Sequence, residues 1–479
     1  MQKVKHGFPP IAITIIASIL LALRLIVTYT LPLADKTEAR YAEIARIMSE
    51  TGEWVVLQID YGIPFWAKPP LSTWMSAGSF TLIGVNEFAA RLPSFLLSVL
   101  IIYILFKLVY KGKHKFFLIA IILMTTPQFL IHAGAVSTDV TFTVCLLLAM
   151  LSFWRSVMTG ETLWAYFFFV AMGFGLLAKG PLIVVLVGPP LLLWCLLEKG
   201  RLRRVLNTFP WISGLFITIL ISFPWYYMAE QRSPGFIDYF VIGEHFMRFL
   251  ESGWNGDLYG KPKSQPIGMI WLFLIVFAFP WVQLAFYFLI RNRKQLLKDS
   301  WLSFLVLWLV WTPIFFTLSS NVLHTYILPV IPAVALVVLH YWDDFPYKRI
   351  SIGVALFIPM MAFVGYFFTY YTGSLDEYLN TDKYLLEATS ENDSPIYYLG
   401  DKTYSGQFYA QGSVKAIEDL SVLKESQSGC YLILKHRDIK SLSDDFLNKT
   451  TLIESNQHRT MFYFLPSVSK KTGHLSQNE

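Results

Sequence analysis

Apolar runs long enough to cross a bilayer recur from residue 9 to about residue 371, and no other feature constrains the fold so strongly. A hydrocarbon core of roughly 30 Å takes about 20 apolar residues in helical form. Inside it only helices or closed barrels satisfy their own backbone groups. The runs fall at about 9–33, 88–110, 116–134, 139–158, 163–179, 180–198, 205–228, 266–290, 301–318, 323–342 and 350–371, so about eleven transmembrane helices are expected. With 55% hydrophobic and only 15% charged residues among 479, a string of soluble domains is excluded. The start "MQKVKHG" leads into an apolar run from Phe8 to about Leu33 that is longer than a signal-peptide core and lacks a small-x-small cleavage site. It reads as a retained first helix.

The bases sort by side. Lys3 and Lys5, "KGKHK" (111–115), "EKGRLRR" (198–204), "RNRKQLLKD" (291–299) and "YKR" (347–349) fall on one set of loops, which the positive-inside rule assigns to the cytoplasm. The formal charge of +6 therefore reflects membrane orientation rather than nucleic-acid binding. The opposite, periplasmic side receives segment 34–87, segment 229–265, the short turns near Asp139, Lys179 and Ser319, and everything after about residue 372. The weakest point of the alternation is the break at "AKGPL" (178–182). Cys145, Cys195 and Cys430 form no paired framework.

After residue 372 the composition becomes that of a soluble module. "SPIYYLG" (394–400), "GCYLILK" (429–435) and "TMFYFLP" (460–466) read as short strands, "VKAIEDLSVLKES" (414–426) as helix-compatible, and the final "SKKTGHLSQNE" as a disordered tail. The expected fold class is an all-α polytopic membrane protein, residues 1–371, with a small C-terminal α/β periplasmic domain at 372–479.

The polar residues of the outer face carry the functional signal. "TEARYAEIARIMSETG" (37–52) has helical spacing, a candidate N-cap in Thr37 and a stop at Gly52, and predicts a short amphipathic helix at the membrane surface. "GEWVVLQIDYGIPFWAKPPLSTW" (52–74) is broken by prolines around Lys68 and leads to a second surface helix ending at Gly84. Glu38 suits the first turn of a helix and Arg40 a solvated or headgroup-facing position. Asp139 opens a span and Lys179 closes one; each fits a helix-end role, as cap or snorkelling base, or a functional one. Arg24, well inside the first span, must snorkel or pair.

With Lys68, Arg40 and "GEHFMRF" (243–249), these residues make a mixed acidic and basic set on one face. A lipid phosphate needs cationic donors, Arg as a bidentate fork and Lys as a point charge. Activation of a nucleophile, or stabilisation of a developing oxocarbenium ion, needs a carboxylate across the reacting carbon. Glu38, Asp139 and His245 could meet in space to hold a divalent metal, which is the weaker reading because their spacing does not specify one; the donor substrate expected is a lipid-linked sugar phosphate.

In their order and spacing, "TEARYAEIARIMSETGEWV", "KPPLSTW" and "NEFAARLPS" resemble the first periplasmic loop of the bacterial aminoarabinose transferase family, which is related more distantly to the protein O-mannosyltransferases. Further matches are the Asp139 region, "GLLAKGPL", "FPWYYMAEQRSPGFIDYFVIGEHFMRFL" (223–250) and "TYILPVIPA" (325–333), over most of residues 10–340. The resemblance implies a GT-C fold in the bacterial inner membrane, with an active site at the periplasmic face. It further implies transfer of a sugar from polyprenyl phosphate, with inversion, to lipid A or another periplasmic glycolipid or polysaccharide. By this resemblance Arg40, Tyr41, Lys68 and Lys179 are donor or phosphate contacts, Glu38 and Asp139 are the acidic pair, Tyr326 lines the cavity, and His245 and Arg248 serve phosphate binding or loop closure.

Two departures stand out. Thr37 occupies a position where relatives carry an acid, so that task passes to Glu38, Asp35 or Asp139, or the acceptor is already anionic and needs no base. Val322, Leu323 and His324 replace a common Lys-Leu-Pro, which removes one cation. Transfer to protein hydroxyls by the same fold is one alternative, and a lipid flippase or transporter, whose charges would line a path through several spans, is another.

Overall fold

The computed structural model describes residues 9–465 apart from 111, 113, 252, 253, 261–263, 297, 390–393, 425–428 and 441. The tail after residue 468 and the bases Lys3 and Lys5 lie outside the described residues. The chain divides into two compact units, one of residues up to Leu31 with Ile44–Tyr366, the other of Pro32–Glu43 with the residues from Phe367 onward.

The first unit is helical. Among the described residues, eight helices are long and apolar enough to cross a membrane: α1 (Pro10–Thr30), α4 (Glu87–Leu108), α7 (Thr138–Thr159), α8 (Thr162–Lys179), α11 (Trp211–Arg232), α15 (Ser300–Thr317), the stretch His324–Trp342 that ends in α16 (Ile331–Trp342), and α17 (Lys348–Tyr371). A ninth arises if α13 (Met269–Phe277) and α14 (Trp281–Arg291), bent by 105° at their junction, are counted as one broken span. The remaining two apolar runs hold shorter helices, α5 (Lys115–Met124) followed by α6 (Pro127–His132), and α9 (Leu182–Leu196), which carries Pro189 and Pro190 in its interior. Proline removes a helical hydrogen bond and clashes with the preceding turn. Long apolar text therefore does not guarantee one long helix.

α7 and His324–Trp342 are the most enclosed spans, whereas α1, α11 and α17 expose most of their length. Chain ends of the central helices are closed by side chains. Asn86 accepts from Ala89 N at 2.8 Å to begin α4, and Asp299 accepts from Trp301 N at 2.8 Å and Leu302 N at 3.0 Å to begin α15. Each such cap stabilises its helix by about 1 kcal/mol.

The arginines inside this unit follow the same accounting. Arg24 is nearly buried and pairs with backbone: its Nε donates to Ala133 O and its Nη2 to Ile131 O at 3.0 Å, carbonyls at the end of α6. Arg91 is 1% exposed and donates to Thr28 O and Leu31 O, closing the C-terminus of α1. Arg201, in α10 (Arg201–Thr208), was expected as one of a basic loop cluster but is 5% exposed. It lies over the Trp194 ring at 3.8 Å and donates to Trp194 O and Ser300 Oγ. A buried carbonyl left without its donor costs about 1–3 kcal/mol.

The expected surface helix is α2 (Thr37–Thr51), ended at Gly52, whose φ of +70° suits glycine. Residues 41–48 are all buried, Glu43 and Arg46 included. The antiparallel pair β1 (Gln58–Asp60) and β2 (Ile63–Pro64) precedes α3 (Leu71–Ile83).

The second unit carries a mixed sheet in the order β4-β3-β5-β7-β6, with β3 (Ile396–Leu399), β4 (Lys415–Ile417), β5 (Cys430–Lys435), β6 (Thr450–Ser455) and β7 (Arg459–Phe464). β3 runs parallel to both β4 and β5; β5–β7 and β7–β6 are antiparallel. Tyr431 and Ile433 face one apolar cluster with Leu385 and Tyr398, while Cys430, Leu432 and Leu434 face another with Phe446 and Phe464. Burial on both faces explains the unbroken apolar text of β5. Segment 414–426 is not mainly helical: Lys415–Ile417 pairs with β3, and only Ser421–Lys424 is helix. Edge pairing decides there, and it leaves Lys415 and Ala416 exposed with Ile417 buried.

Replacing Arg91 with Ala leaves the carbonyls at the end of α1 without their donor. The thermal midpoint of the full chain in detergent is expected to fall by several degrees, with Arg91→Lys recovering only part because one ammonium replaces a fork. An unchanged midpoint for Arg91→Ala would remove the capping role.

Candidate functional site

The first unit gathers six of the expected residues into one connected set. Ser137 accepts from Asp139 N at 3.3 Å and begins α7, which places Asp139 in its first turn. Lys179 is the last residue of the neighbouring α8. The two helices run antiparallel in sequence order, so the pair meets at one end of the bundle, with Lys179 Nζ 2.5 Å from Asp139 Oδ1. Both side chains are about one-tenth exposed. In so dry a setting the pair holds only because each charge has its partner. The ammonium also lies 5.5 Å from the Phe142 ring and 5.7 Å from that of Tyr326, within cation–π reach. Tyr326 itself packs on Phe316 at 4.6 Å.

Behind Asp139 runs a buried polar chain. His132 Nε2 lies 3.9 Å from Asp139 Oδ2, and His132 Nδ1 contacts Gln128 O at 2.9 Å and Gln128 Nε2 at 3.1 Å. Gln128 Oε1 meets His324 Nδ1 at 2.9 Å, and His324 stacks on Phe277 at 4.6 Å. His324 thus stands in polar contact with the group that leads to Asp139.

In front of Lys179 lies a π-helical segment, Asp238–Met247, continued by α12 (Arg248–Leu250). π-helices are rare and tend to mark functional sites. His245 joins it to α8, its Nε2 3.1 Å from Lys179 O and its Nδ1 2.7 Å from Phe240 O. Burial holds His245 below the usual histidine pKa. Gly180, at φ +69°, permits this approach: a Cβ there would come within 2.6 Å of Phe240.

Next to His245, Glu244 receives two cations. Lys68 Nζ donates at 3.1 Å, and Arg248 Nη1 donates to both carboxylate oxygens at 3.0 Å. The Glu244 side chain is 4% exposed. Burial alone would raise its pKa, but Lys68 and Arg248 outweigh it and hold the carboxyl below its ordinary value. Arg248 Nη2 also faces Asp257 Oδ2 at 3.7 Å, and its carbonyl accepts from Asn321 Nδ2 at 2.7 Å. Among the described residues, three buried side-chain atoms of this set have no hydrogen-bond partner: Arg248 Nε, Asp257 Oδ2 and Asn321 Oδ1.

The other four expected residues belong to the second unit. Glu38 is in the first turn of α2, and the Arg40 guanidinium lies 5.5 Å from the Tyr41 ring and 6.0 Å from that of Tyr404. Asp35 is engaged by α20 (Tyr404–Tyr409), which follows α18 (Leu375–Tyr378) and α19 (Lys383–Glu387). One carboxylate oxygen accepts from Tyr404 N at 3.1 Å and Ser405 N at 3.2 Å, the other from Ser405 Oγ. Asp35 N donates to Asn380 O at 2.7 Å. Nearby Asp382, fully buried, accepts from Tyr398, Thr403, Asn456 and Arg459.

Glu244, His132, Gln128, His324, Asp257 and Asn321 were not singled out as site residues from sequence. Gln128 and His132 stand at i and i+4 in otherwise apolar text, and Glu244 at i with Arg248 at i+4, which is the signal that points to them. Among the described residues, no three His, Cys, Asp or Glu side chains group to hold a metal ion.

Comparison with known proteins accords with this geometry. The family model for dolichyl-phosphate-mannose-protein mannosyltransferase matches residues 11–240. An undecaprenyl phosphate-alpha-4-amino-4-deoxy-L-arabinose arabinosyl transferase of Pseudomonas fluorescens is 32% identical over 326 residues, 64% of this chain and 56% of the relative. A protein of the same description from Photorhabdus laumondii is 28% identical over 349 residues, 69% and 60% of the two chains. The matches thus span less than two thirds of these relatives' length. The crystal structure of ArnT from Cupriavidus metallidurans bound to undecaprenyl phosphate superposes with a TM-score of 0.74 at 16% identity, over 95% of this chain and 98% of that one.

Burial raises the pKa of Asp35 from 3.8 to about 6, against the opposing effect of Ser405. The folded carboxyl therefore keeps its proton to a higher pH than the unfolded one. Stability from this group is fully present below about 4 and is lost as pH rises through about 6. Thermal midpoints of the full chain measured from pH 4 to 7 are expected to show this fall, and Asp35→Asn is expected to flatten it. The same slope in Asp35→Asn would exclude Asp35 as its source.

Proposed function

We propose that the chain, which is similar to aminoarabinose transferases and shares the fold of ArnT, transfers a sugar from a polyprenyl phosphate donor to lipid A or a related glycolipid. The observation that carries the proposal is the connected set of cations and carboxylates, Lys68, Glu244, Arg248, His245, Lys179 and Asp139, gathered at one end of an otherwise apolar bundle. A membrane enzyme for a lipid-linked phosphate needs that combination at the boundary of the hydrocarbon. The relatives named for undecaprenyl phosphate-linked aminoarabinose transfer supply the chemical class.

In this mechanism Lys68 and Arg248 hold the donor phosphate. An acceptor oxygen attacks the anomeric carbon as its bond to the phosphate oxygen breaks, and polyprenyl phosphate departs with the bonding pair. The two cations stabilise the charge that develops on the leaving oxygen. Asp139, ion-paired to Lys179, supplies negative charge for the oxocarbenium-like transition state. A phosphate acceptor is already anionic and attacks without a general base, which accommodates Thr37. Asp35, bound to Ser405 and α20, acts as a tether. The enzyme is proposed to lie in the inner membrane, with this end of the bundle and the second unit facing the periplasm, as the distribution of bases favours.

A transporter reading finds less support. Arg24, the charge deep in a span, donates to the backbone carbonyls of Ala133 and Ile131.

Purified chain incubated with polyprenyl-phosphate sugars and envelope lipids is expected to yield a glycolipid heavier by one amino sugar or pentose by mass spectrometry. Lys68→Ala is expected to abolish the product, and Asp139→Asn to cut turnover by about 10²-fold. No transfer to any lipid, glycan or protein, under conditions where a relative is active, would overturn the proposal.

A further inference from the structure

We propose that Glu244 is a resident counter-carboxylate: it fills the cationic seat of Lys68 and Arg248 when no donor is bound, and a phosphate headgroup enters by displacing it. This rests on the phosphate-binding reading of those two cations and adds what occupies their seat in its absence.

Lys68, Arg248, Glu244 and Asp257 are two cations and two anions, with the acidic side chains 4% and 3% exposed and the basic ones 24% and 25% exposed. The charges of these four described groups sum to zero. A phosphodiester added beside Glu244 would leave a buried excess negative charge, and such an uncompensated charge is strongly unfavourable. A phosphodiester that replaces Glu244 restores neutrality. The bases, a quarter exposed, are the members that an incoming headgroup can reach.

Hydrogen-bond bookkeeping points the same way. The two oxygens of Glu244 take one donor from Lys68 and both contacts from a single Arg248 nitrogen, Nη1. Among the described residues, the buried Arg248 Nε has no acceptor. A carboxylate is one oxygen short of serving this seat, whereas a phosphate offers further oxygens to Nε while keeping Lys68 and Nη1. Buried orphan donors are uncommon in native proteins and call for an explanation. A seat shaped for phosphate but occupied by a carboxylate supplies one.

Displacement needs no backbone change. Glu244 has three side-chain torsions, and its bonds here are all to side chains that also turn. Its neighbour His245 is different, because both ring nitrogens meet backbone carbonyls. One segment thus presents a fixed residue and, next to it, an exchangeable one. The same exchange assists release. The departing polyprenyl phosphate is a monoester that carries more than one negative charge at neutral pH, and Glu244 competes for its seat as it leaves.

The test is binding of undecaprenyl phosphate to the full chain in nanodiscs of neutral lipid. Glu244→Gln removes the competing charge and is expected to bind undecaprenyl phosphate about tenfold more tightly than the unmodified chain. Glu244→Asp, which withdraws the carboxylate by one methylene from Lys68, is expected to move affinity in the same direction and serves if Glu244→Gln does not fold. Lys68→Gln is expected to weaken binding in either background. Equal or weaker binding by folded Glu244→Gln, with Lys68→Gln still impaired, overturns the displacement and leaves the phosphate seat standing. Binding that ignores Lys68→Gln overturns the seat and the displacement together.

Discussion

A charge inside an apolar bundle must have a partner, and the described part of the first unit is arranged around that requirement. Bringing an ion out of water costs several kcal/mol after relaxation, more than a single surface contact returns. Lys179 and Asp139 meet at 2.5 Å because neither could be kept alone at those helix ends. Their meeting fixes the mutual height of α7 and α8, and His245, bound to the Lys179 carbonyl, fixes the π-helical segment in turn. From there Glu244, Lys68 and Arg248 follow by direct contact. One constraint therefore propagates from two span ends to the loop that carries Glu244 and Arg248.

The broad architecture was legible because the bilayer allows so few solutions. Ten of the eleven apolar runs coincide with a described helix or pair of helices beginning within a few residues of the expected start; the run at 205–228 is entered later, at Trp211. What the text did not reveal was continuity. Pro280 and Pro127 stand where apolar runs break into two helices, and hydropathy does not register a bend. In the second unit the β5 strand was legible from its apolar run, but β4 and β6 were not. Both are edge strands with mostly exposed side chains, so their pairing is set by neighbours and not by their own composition.

The candidate site was legible in its charged members and opaque in their pairing. Lys68, Asp139, Lys179, His245 and Arg248 were visible as costly groups at span ends or in structured loops. Glu244 sat in full view between Gly243 and His245, but nothing in a sequence says that a carboxylate will face a lysine 176 residues away. His324 appeared only as the loss of a cation. In the structure it is the far end of the polar chain through Gln128 and His132 toward Asp139. Asp35 illustrates the reverse: a candidate by position, it is engaged by the backbone of α20.

The acceptor each cation uses separates architecture from chemistry. Arg24, Arg91 and Arg201 donate to backbone carbonyls at helix ends, and those carbonyls cannot turn away without unravelling the helix they belong to. Such bonds tie these arginines to the architecture, Arg201 with a further ion pair to Glu198. Lys179 and Arg248 instead face the side-chain carboxylates of Asp139 and Glu244, and Lys68 faces Glu244 while also donating to Ala67 O at 2.6 Å. A carboxylate on a flexible stem can rotate, exchange with another anion and return. The same low dielectric that makes every pairing compulsory makes these, held between side chains that can both turn, the exchangeable ones.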